Sequence, residues 1–450
     1  MASRVIQKYL ARHAEPEAQL AEKLSGSFGH ALIIPAYGER ESLFPLLGSV
    51  PTGPRGPVLV VLVINAREGS PASVHQANGA VRARLEEELP LRNRFSDNPP
   101  AREYAIAGGT LVTIDRGLPG HYLPEGQGVG LARKIGNDLA LALAAQDRLS
   151  SRWFLNTDAD TLLPSDYFDQ MTGVPKEAAA AVYFFDHRFE PDVDLAEAAR
   201  LYEISLRYYV LGLAWAGSPY AYQSMGSCLA ISPEAYAAVR GFPKKNAAED
   251  FYVLNKLAKV GSIIRLAGSP VSLEGRPSDR VPFGTGRAIR DLVSTKRGLA
   301  NFRLLHPLVF AHLSGWLDLL REIARSRDLT KPLGVLPQGN PFFRVDLLQD
   351  ALRKLGTFEA VREAVAKSSD QATLARHLHT WFDAFKTLKL VHALRDGGLV
   401  SLPWREALAE APFARLSSST QEDPEALRRL LAEEEKKLAR EPAGLGPGKT

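Results

Sequence analysis

Asn156-Thr157-Asp158-Ala159-Asp160-Thr161 follows directly on the apolar run Trp153–Leu155. Two carboxylates at i and i+2, where a chain leaves extended geometry, can both turn toward one hard cation. Oxygen ligands of this kind suit Mg²⁺ or Mn²⁺, ions that keep several waters and also bind substrate phosphates. Such an ion neutralises charge building on a diphosphate leaving group. D-x-D alone is common, and the same residues would also serve as a solvated, helix-capping turn. Its place after a buried strand favours metal binding by Asp158 and Asp160.

A second acidic pair, Glu249-Asp250, opens the helical stretch Asp250–Lys259 after the loop Gly241–Asn246. A carboxylate in a first helical turn can act as general base on an acceptor hydroxyl. It can equally be a cap that the helix dipole stabilises. Adjacent residues on a helix face different ways, so the pair does not suit the opposed carboxylates of a glycosidase. A third feature is the turn Gly126-Gln127-Gly128-Val129-Gly130-Leu131-Ala132-Arg133-Lys134. Its glycines allow close approach to phosphate, and Arg133 and Lys134 add charge. The dinucleotide fingerprint is not completed at Arg133, so this is a generic diphosphate contact or a plain helix entry. Gly444–Thr450 ends like a phosphate loop, but Ala443 stands where the first glycine is needed. Cys228 sits in an apolar strand and reads as a small core residue.

The elements around these residues alternate. Buried strands are expected at Ala31–Pro35, Val58–Ile64, Thr110–Asp115, Trp153–Asp158 and Ala179–Phe185, with another near Ser227–Ile231. Helices are expected at Glu39–Leu47, at Pro71–Leu89 with Ser70 as cap, and at Leu131–Gln146. This βαβ alternation predicts a doubly wound, mostly parallel sheet, with ligands beyond the carboxyl ends of its strands. From Ala288 onward the pattern is helical, and Ala426–Ala439 reads as a charged helix. The expected division is a helical lead at 1–29, an α/β domain at 30–290, a helical region at 291–440 and a frayed tail at 441–450.

Composition sets the bounds. The chain has 450 residues, 45% hydrophobic and 24% charged, as in a globular protein. Lys plus Arg is 55 and Asp plus Glu is 51, an excess of only +4. That excess is too small and too dispersed to argue for nucleic acid, so none is expected as a partner, and it is compatible with weak attraction to an anionic membrane surface. One cysteine cannot form an internal disulfide. No segment reaches the about 18 uncharged apolar residues of a membrane span, nor does the start read as a signal peptide. The expected location is the cytosol, or the inner face of the membrane.

Taken together, residues 31–261 resemble the family 2 glycosyltransferases of the GT-A fold. Ile33-Ile34-Pro35-Ala36-Tyr37-Gly38-Glu39 looks like that family's opening strand, whose end touches the nucleotide base. Gly130 to Asn137 resembles its donor helix. Thr157-Asp158-Ala159-Asp160 matches its metal motif. Gly226-Ser227, Gly241-Phe242 and Glu249-Asp250 match its acceptor segment, in which the second acid is the base. The resemblance implies a GT-A-type α/β domain followed by a mostly helical region. It implies a nucleotide-sugar donor contacted by Pro35, Ala36, Tyr37, Glu39, Asn65, Arg133, Lys134 and Asp158. It further implies Mn²⁺ or Mg²⁺ on Asp158 and Asp160, and Asp250 as catalytic base. Asn65 departs from the family's paired acids at the end of the second strand, and Gly38 replaces the usual Asn.

The implied reaction is a single displacement with inversion, from a nucleoside-diphosphate sugar to the hydroxyl of a sugar, lipid-linked or small-molecule acceptor. The loop 268–287, with Arg276, Arg280 and Arg287, is a candidate lid. Tyr202, Tyr208, Tyr209, Trp215, Tyr220 and Tyr222 are candidates to line an acceptor pocket. The alternatives are a nucleotidyltransferase, which the non-basic Ala36-Tyr37-Gly38-Glu39 turn disfavours, and a non-catalytic binding protein of GT-A type.

Overall fold

Val58–Asn65 is β-branched and leucine-rich throughout, and every residue of it is buried. Such a run requires cover on both faces, which a parallel sheet flanked by helices provides. The structure is a computed structural model, and it describes residues 3–39, 41–189, 192–277, 284–294, 301–329, 343–414 and 423–439. The chain divides into two units. The first comprises residues 3–188 and 224–274, the second residues 189–223, 275–277 and 284–439.

In the first unit, α1 (Arg4–Arg12) and a short 3-10 helix (Pro16–Glu22) lead into β1 (His30–Ala36) and α2 (Leu43–Ser49). Then come β2 (Val58–Asn65), α3 (Ala72–Glu88), β3 (Leu91–Asp97), β4 (Pro100–Ile106) and β5 (Gly109–Arg116). They are followed by α4 (Val129–Ala145), β6 (Phe154–Asn156), β7 (Ala180–Val182) and β8 (Phe185–Phe189). The chain enters the second unit with α5 (Val193–Trp215) and returns with β9 (Leu229–Ile231), α6 (Pro233–Ala238), α7 (Glu249–Leu257), β10 (Ile263–Arg265) and β11 (Val271–Gly275).

Nine strands form one sheet in the order β10-β7-β9-β6-β1-β2-β5-β4-β3. Its centre, β6-β1-β2-β5, is parallel. β9 runs antiparallel between β6 and β7, and β3 and β4 add an antiparallel flank. The α/β expectation holds, with a mixed sheet rather than a uniformly parallel one. From β1 the chain steps to β2 on one side and later to β6 on the other. The switch in strand order therefore falls between β1 and β6, where ligands bind in such sheets.

α4 lies against β1. A Cβ at Gly136 would meet Ile33 Cγ2 at 2.6 Å, so glycine is what lets the helix approach this closely. The lead packs on α4's other side and belongs to this unit. There the Lys134 ammonium donates to Tyr9 Oη at 2.8 Å, the His13 carbonyl at 2.6 Å and Asp138 Oδ2 at 2.6 Å. Asp138 is fully enclosed and also accepts from Tyr236 Oη at 2.7 Å and the Glu15 amide at 2.8 Å. Ser70 does not cap α3. Pro71 occupies the cap position, and Ser70 Oγ instead accepts from the Arg67 amide and the Tyr37 hydroxyl.

The second unit is helical. It holds α5, α8 (Thr285–Ser294), α9 (Leu308–Ser326), α10 (Val345–Lys354), α11 (Thr357–Lys367), α12 (Gln371–Trp381), α13 (Ala384–Asp396), α14 (Trp404–Glu410) and α15 (Pro424–Leu438). It begins earlier than the boundary expected near 290, because the inner face of α5 joins its core with Phe310, Leu313 and Trp316. Of the aromatic residues expected around an acceptor, Tyr208 belongs to that core, Tyr209 packs against it, and Trp215 is exposed. Tyr208 packs on Phe310 and Phe413, and Tyr220 stacks on His379. Two carboxylates hold the buried Arg207: Glu203 at 2.7 Å and Glu435 of α15 at 2.7 Å. The expected loop at 268–287 contains a strand, β11, which pairs with β8. Arg287 lies on α8 and pairs with Asp291, while Arg280 and the tail 441–450 lie outside the described residues. No described helix is long and apolar enough to cross a membrane.

Asp138→Ala would leave Lys134 buried without its carboxylate. The expected loss is about 3–5 kcal/mol in chemical denaturation followed by circular dichroism. A loss below about 1 kcal/mol would show that the buried cluster does not pin the lead to α4.

Candidate active site

The site is built on the short strand β6. The strand ends at Asn156, earlier than the expected Asp158, so both aspartates of the motif lie in the turn beyond it. Two fully buried amides fix the strand's end to α4. Asn137 Nδ2 donates to Asn156 Oδ1 at 2.8 Å, and Asn156 Nδ2 returns a bond to Asn137 Oδ1 at 3.3 Å. The Thr157 amide donates to the Ile33 carbonyl at 3.1 Å, tying the turn to β1. Thr157 and Thr161 share a hydroxyl contact of 2.8 Å, and Thr161 Oγ1 donates to the Asp158 carbonyl at 2.9 Å. The turn is thereby closed from inside, while the Asp158 side chain stays 41% exposed.

Arg133 comes up from α4 beneath this turn with its side chain only 1% exposed. Its Nη2 donates to Asp158 Oδ1, its Nη1 to the Thr157 carbonyl at 3.3 Å and its Nε to Glu249 Oε1 at 3.0 Å. A Cβ at Gly226 would meet Arg133 Nη2 at 2.3 Å, so glycine is required where this guanidinium passes. Burial alone would lower the Arg133 pKa, but Asp158 and Glu249 reverse that and hold it above the usual arginine value.

Glu249 and Asp250 open α7 after Ala248, whose backbone is left-handed. Glu249 is buried against Arg133. Burial raises its pKa, and the guanidinium opposes that rise. Asp250 Oδ2 accepts from the Gly226 amide at 2.9 Å, and its Oδ1 accepts from the Phe251 amide at 2.7 Å. The carboxyl is half-buried. Burial, then the charge of Glu249, pushes its pKa up to about 7. That is the range of a general base working near neutrality. One guanidinium thus sits among three carboxylates, Asp158, Glu249 and Asp250, and the cluster is anionic when all are ionised.

The other expected contacts gather at the neighbouring strand ends. Pro35 and Ala36 close β1, buried. Asn65 closes β2, and its Nδ2 donates to the Ala36 carbonyl at 2.9 Å. Asn78 carries the tie onward, donating to the Asn65 carbonyl and accepting from the Gly38 amide. Glu39 is buried and accepts from Ser42 Oγ at 3.0 Å. Tyr37 is half-buried with its hydroxyl on Ser70. This ledge and the Asp158–Asp160 turn share the carboxyl edge of β1, β2 and β6.

Two expectations need correction. Lys134 faces the lead, with its three hydrogens used there, and does not reach the Asp158 turn. Arg133 does reach it, but as an enclosed counter-charge whose donors are engaged by protein oxygens, not as an open phosphate contact. The structure also brings in residues the motifs did not single out. Glu249 is the partner of Arg133, and Arg188 on β8 donates from Nη2 to the Asp160 carbonyl at 3.2 Å. Nothing in the local pattern Phe185-Asp186-His187-Arg188-Phe189 signals that contact. Cys228 is a buried thiol whose pKa burial pushes up to about 12, consistent with a core residue.

A divalent cation fits part of this site. Asp158 and Asp160 offer oxygen donors with solvent access, as an ion that keeps waters and phosphate oxygens requires. Among the described residues no group of three or more His, Cys, Asp or Glu could hold a metal. Two carboxylates supply part of a coordination sphere, which water and phosphate oxygens would complete.

No family model matches the chain, and no curated protein sequence matches it. Among solved structures the chain is similar to TarS of S. aureus, residues 1–349, at 12% identity and a TM-score of 0.34, covering 82% of this chain and 92% of that one. A further structure of that TarS segment contains UDP-GlcNAc and aligns with the same values. The chain is also similar to the mannosyltransferase PcManGT from Pyrobaculum calidifontis in complex with GDP-Man and Mn²⁺. There the identity is 16% and the TM-score 0.32, over 85% of this chain and 94% of that one. With identities and TM-scores this low, the functional reading rests on the site's own geometry.

Asp250 titrates near about 3.9 in an unfolded chain and near about 7 in the fold. The folded state binds the extra proton between those limits, so its stability is greatest at the acid end and falls as pH rises. Asp250→Asn is expected to raise Tm above wild type at about pH 8, with the advantage shrinking as pH is lowered toward about 5. A Tm difference independent of pH would contradict the shifted carboxyl.

Proposed function

We propose that the chain is a metal-dependent glycosyltransferase of GT-A type, moving a sugar from a nucleoside-diphosphate sugar to an acceptor hydroxyl with inversion. The observation that carries this reading is the convergence of Asp158 and Glu249, the neighbour of Asp250, on one buried guanidinium at the carboxyl edge of the sheet. A cation-binding turn and a carboxyl poised near neutrality are the two parts that such a transfer requires.

The nucleoside would lie on the ledge of Pro35, Ala36, Tyr37, Glu39 and Asn65. Asp158 and Asp160 would hold Mn²⁺ or Mg²⁺, which supplies charge neutralisation to the departing diphosphate. Asp250, ionised, takes the proton of the acceptor hydroxyl. The acceptor oxygen bonds to the anomeric carbon as the bond from that carbon to the diphosphate oxygen breaks, and nucleoside diphosphate leaves. The Gly226 and Phe251 amides fix the Asp250 carboxylate and leave lone pairs for the acceptor proton. Arg133 keeps Asp158 and Glu249 in place without contacting substrate.

The test is a thermal-shift panel of UDP, GDP, CDP and dTDP with and without Mn²⁺. A shift with one nucleotide that needs the cation and is lost in Asp158→Ala is expected, since binding to the native state alone raises Tm. No shift with any nucleotide would remove the reading. With the donor identified, kcat/KM should rise with pH through about 7, as Asp250 loses its proton. Asp250→Asn should lower kcat by about 10²–10⁴-fold while leaving nucleotide binding intact.

A further inference from the structure

Arg133 and Lys134 are the cations that the motifs offer to a diphosphate, and both are engaged inside the protein. A leaving diphosphate at Asp158 and Asp160 still calls for positive charge from the chain, because catalysis of its departure is largely electrostatic. Arg188 stands at that position. It lies on β8, which pairs with β11. β11 is tied to the end of the aspartate turn by reciprocal bonds: the Leu162 amide to the Ser272 carbonyl at 2.8 Å, and the Ser272 amide to the Leu162 carbonyl at 2.9 Å. The turn, β11 and β8 therefore form one connected edge.

On that edge Arg188 Nη2 donates to the Asp160 carbonyl at 3.2 Å, which orients the guanidinium beside the proposed cation ligands. Its Nη1 is enclosed and has no hydrogen-bond partner. Among the described residues Arg188 makes no ion pair. A guanidinium is always charged and carries five donors in a rigid fork matched to phosphate oxygens. Leaving such a donor enclosed and unanswered is costly, and an anionic oxygen answers it best.

We propose that Arg188 binds the diphosphate of the donor, donating from Nη1 to a phosphate oxygen while Nη2 stays on the Asp160 carbonyl. This rests on the glycosyl-transfer reading and adds a residue to it. The phosphate is then held from two sides, by the Asp158–Asp160 turn and by the guanidinium. The rival role for Nη1 is a bond to a buried water with no part in binding.

Calorimetric titration in Mn²⁺ separates these outcomes, using wild type, Arg188→Gln and Arg188→Lys. UDP and GDP are compared with uridine and guanosine. Arg188→Gln should weaken the preferred nucleoside diphosphate by about tenfold to hundredfold. It should leave affinity for the parent nucleoside unchanged, and Arg188→Lys should recover part of the loss. Circular dichroism checks each fold, and Arg188→Lys alone should bind several-fold more weakly if the glutamine variant does not fold. Diphosphate affinity equal to wild type in either folded variant overturns the proposal and leaves the glycosyl-transfer reading intact. Equal weakening of nucleoside and diphosphate also overturns it, since that reports distortion rather than a phosphate contact. Wild type that binds neither diphosphate removes the glycosyl-transfer reading itself, and this proposal with it.

Discussion

A guanidinium cannot be buried without partners, and Arg133 is buried almost completely. That single requirement organises the site. Its fork needs oxygens on three sides, and it takes them from Asp158, the Thr157 carbonyl and Glu249. Three stretches far apart in sequence, α4, the turn after β6 and the start of α7, are thereby held at one point. Gly226 is small because the fork passes beside it. Removing any one carboxylate would leave the cation partly uncompensated, so the pieces depend on one another.

The fold supplies the place for this arrangement. The parallel centre of the sheet ends its strands along one edge, and the change of direction between β1 and β6 opens that edge. Asn137 and Asn156 fix the depth of α4 against β6, and Gly136 allows the helix to sit against β1. On the opposite side of α4 the lead, through Tyr9, His13 and Glu15, holds Lys134 and Asp138. The same helix therefore presents adjacent cations to different faces: Arg133 toward the carboxylates, Lys134 toward the lead. Neighbours on a helix point about 100° apart, so one face cannot take both.

Much of this was legible in the sequence. β1, β2 and β5 are apolar runs whose ends in the structure differ from the expected ones by at most one residue. Asp158-x-Asp160 follows a buried strand as read. What could not be read depends on long-range contacts. Arg133 and Glu249 are 116 residues apart, and Lys134 and Tyr9 are 125 apart, so local spacing gives no sign of either pairing. Without those partners, two cations beside glycines read naturally as a phosphate contact. β3 carries no strand signal, since it is mostly exposed and Leu91-Arg92-Asn93-Arg94 has no apolar face. The apolar residues of α5 show that it is buried, but not against which partner.

A triple-mutant cycle tests the shared guanidinium most directly. Asp158→Asn, Glu249→Gln and the double variant are unfolded by denaturant at a pH of about 8, in the wild-type background and again with Arg133→Met. The account predicts a coupling between the two carboxylates of about 0.5–3 kcal/mol that is largely lost when Arg133 is replaced. Additive effects with Arg133 present, or a coupling unchanged without it, would contradict the view that one buried cation joins the two halves of the site.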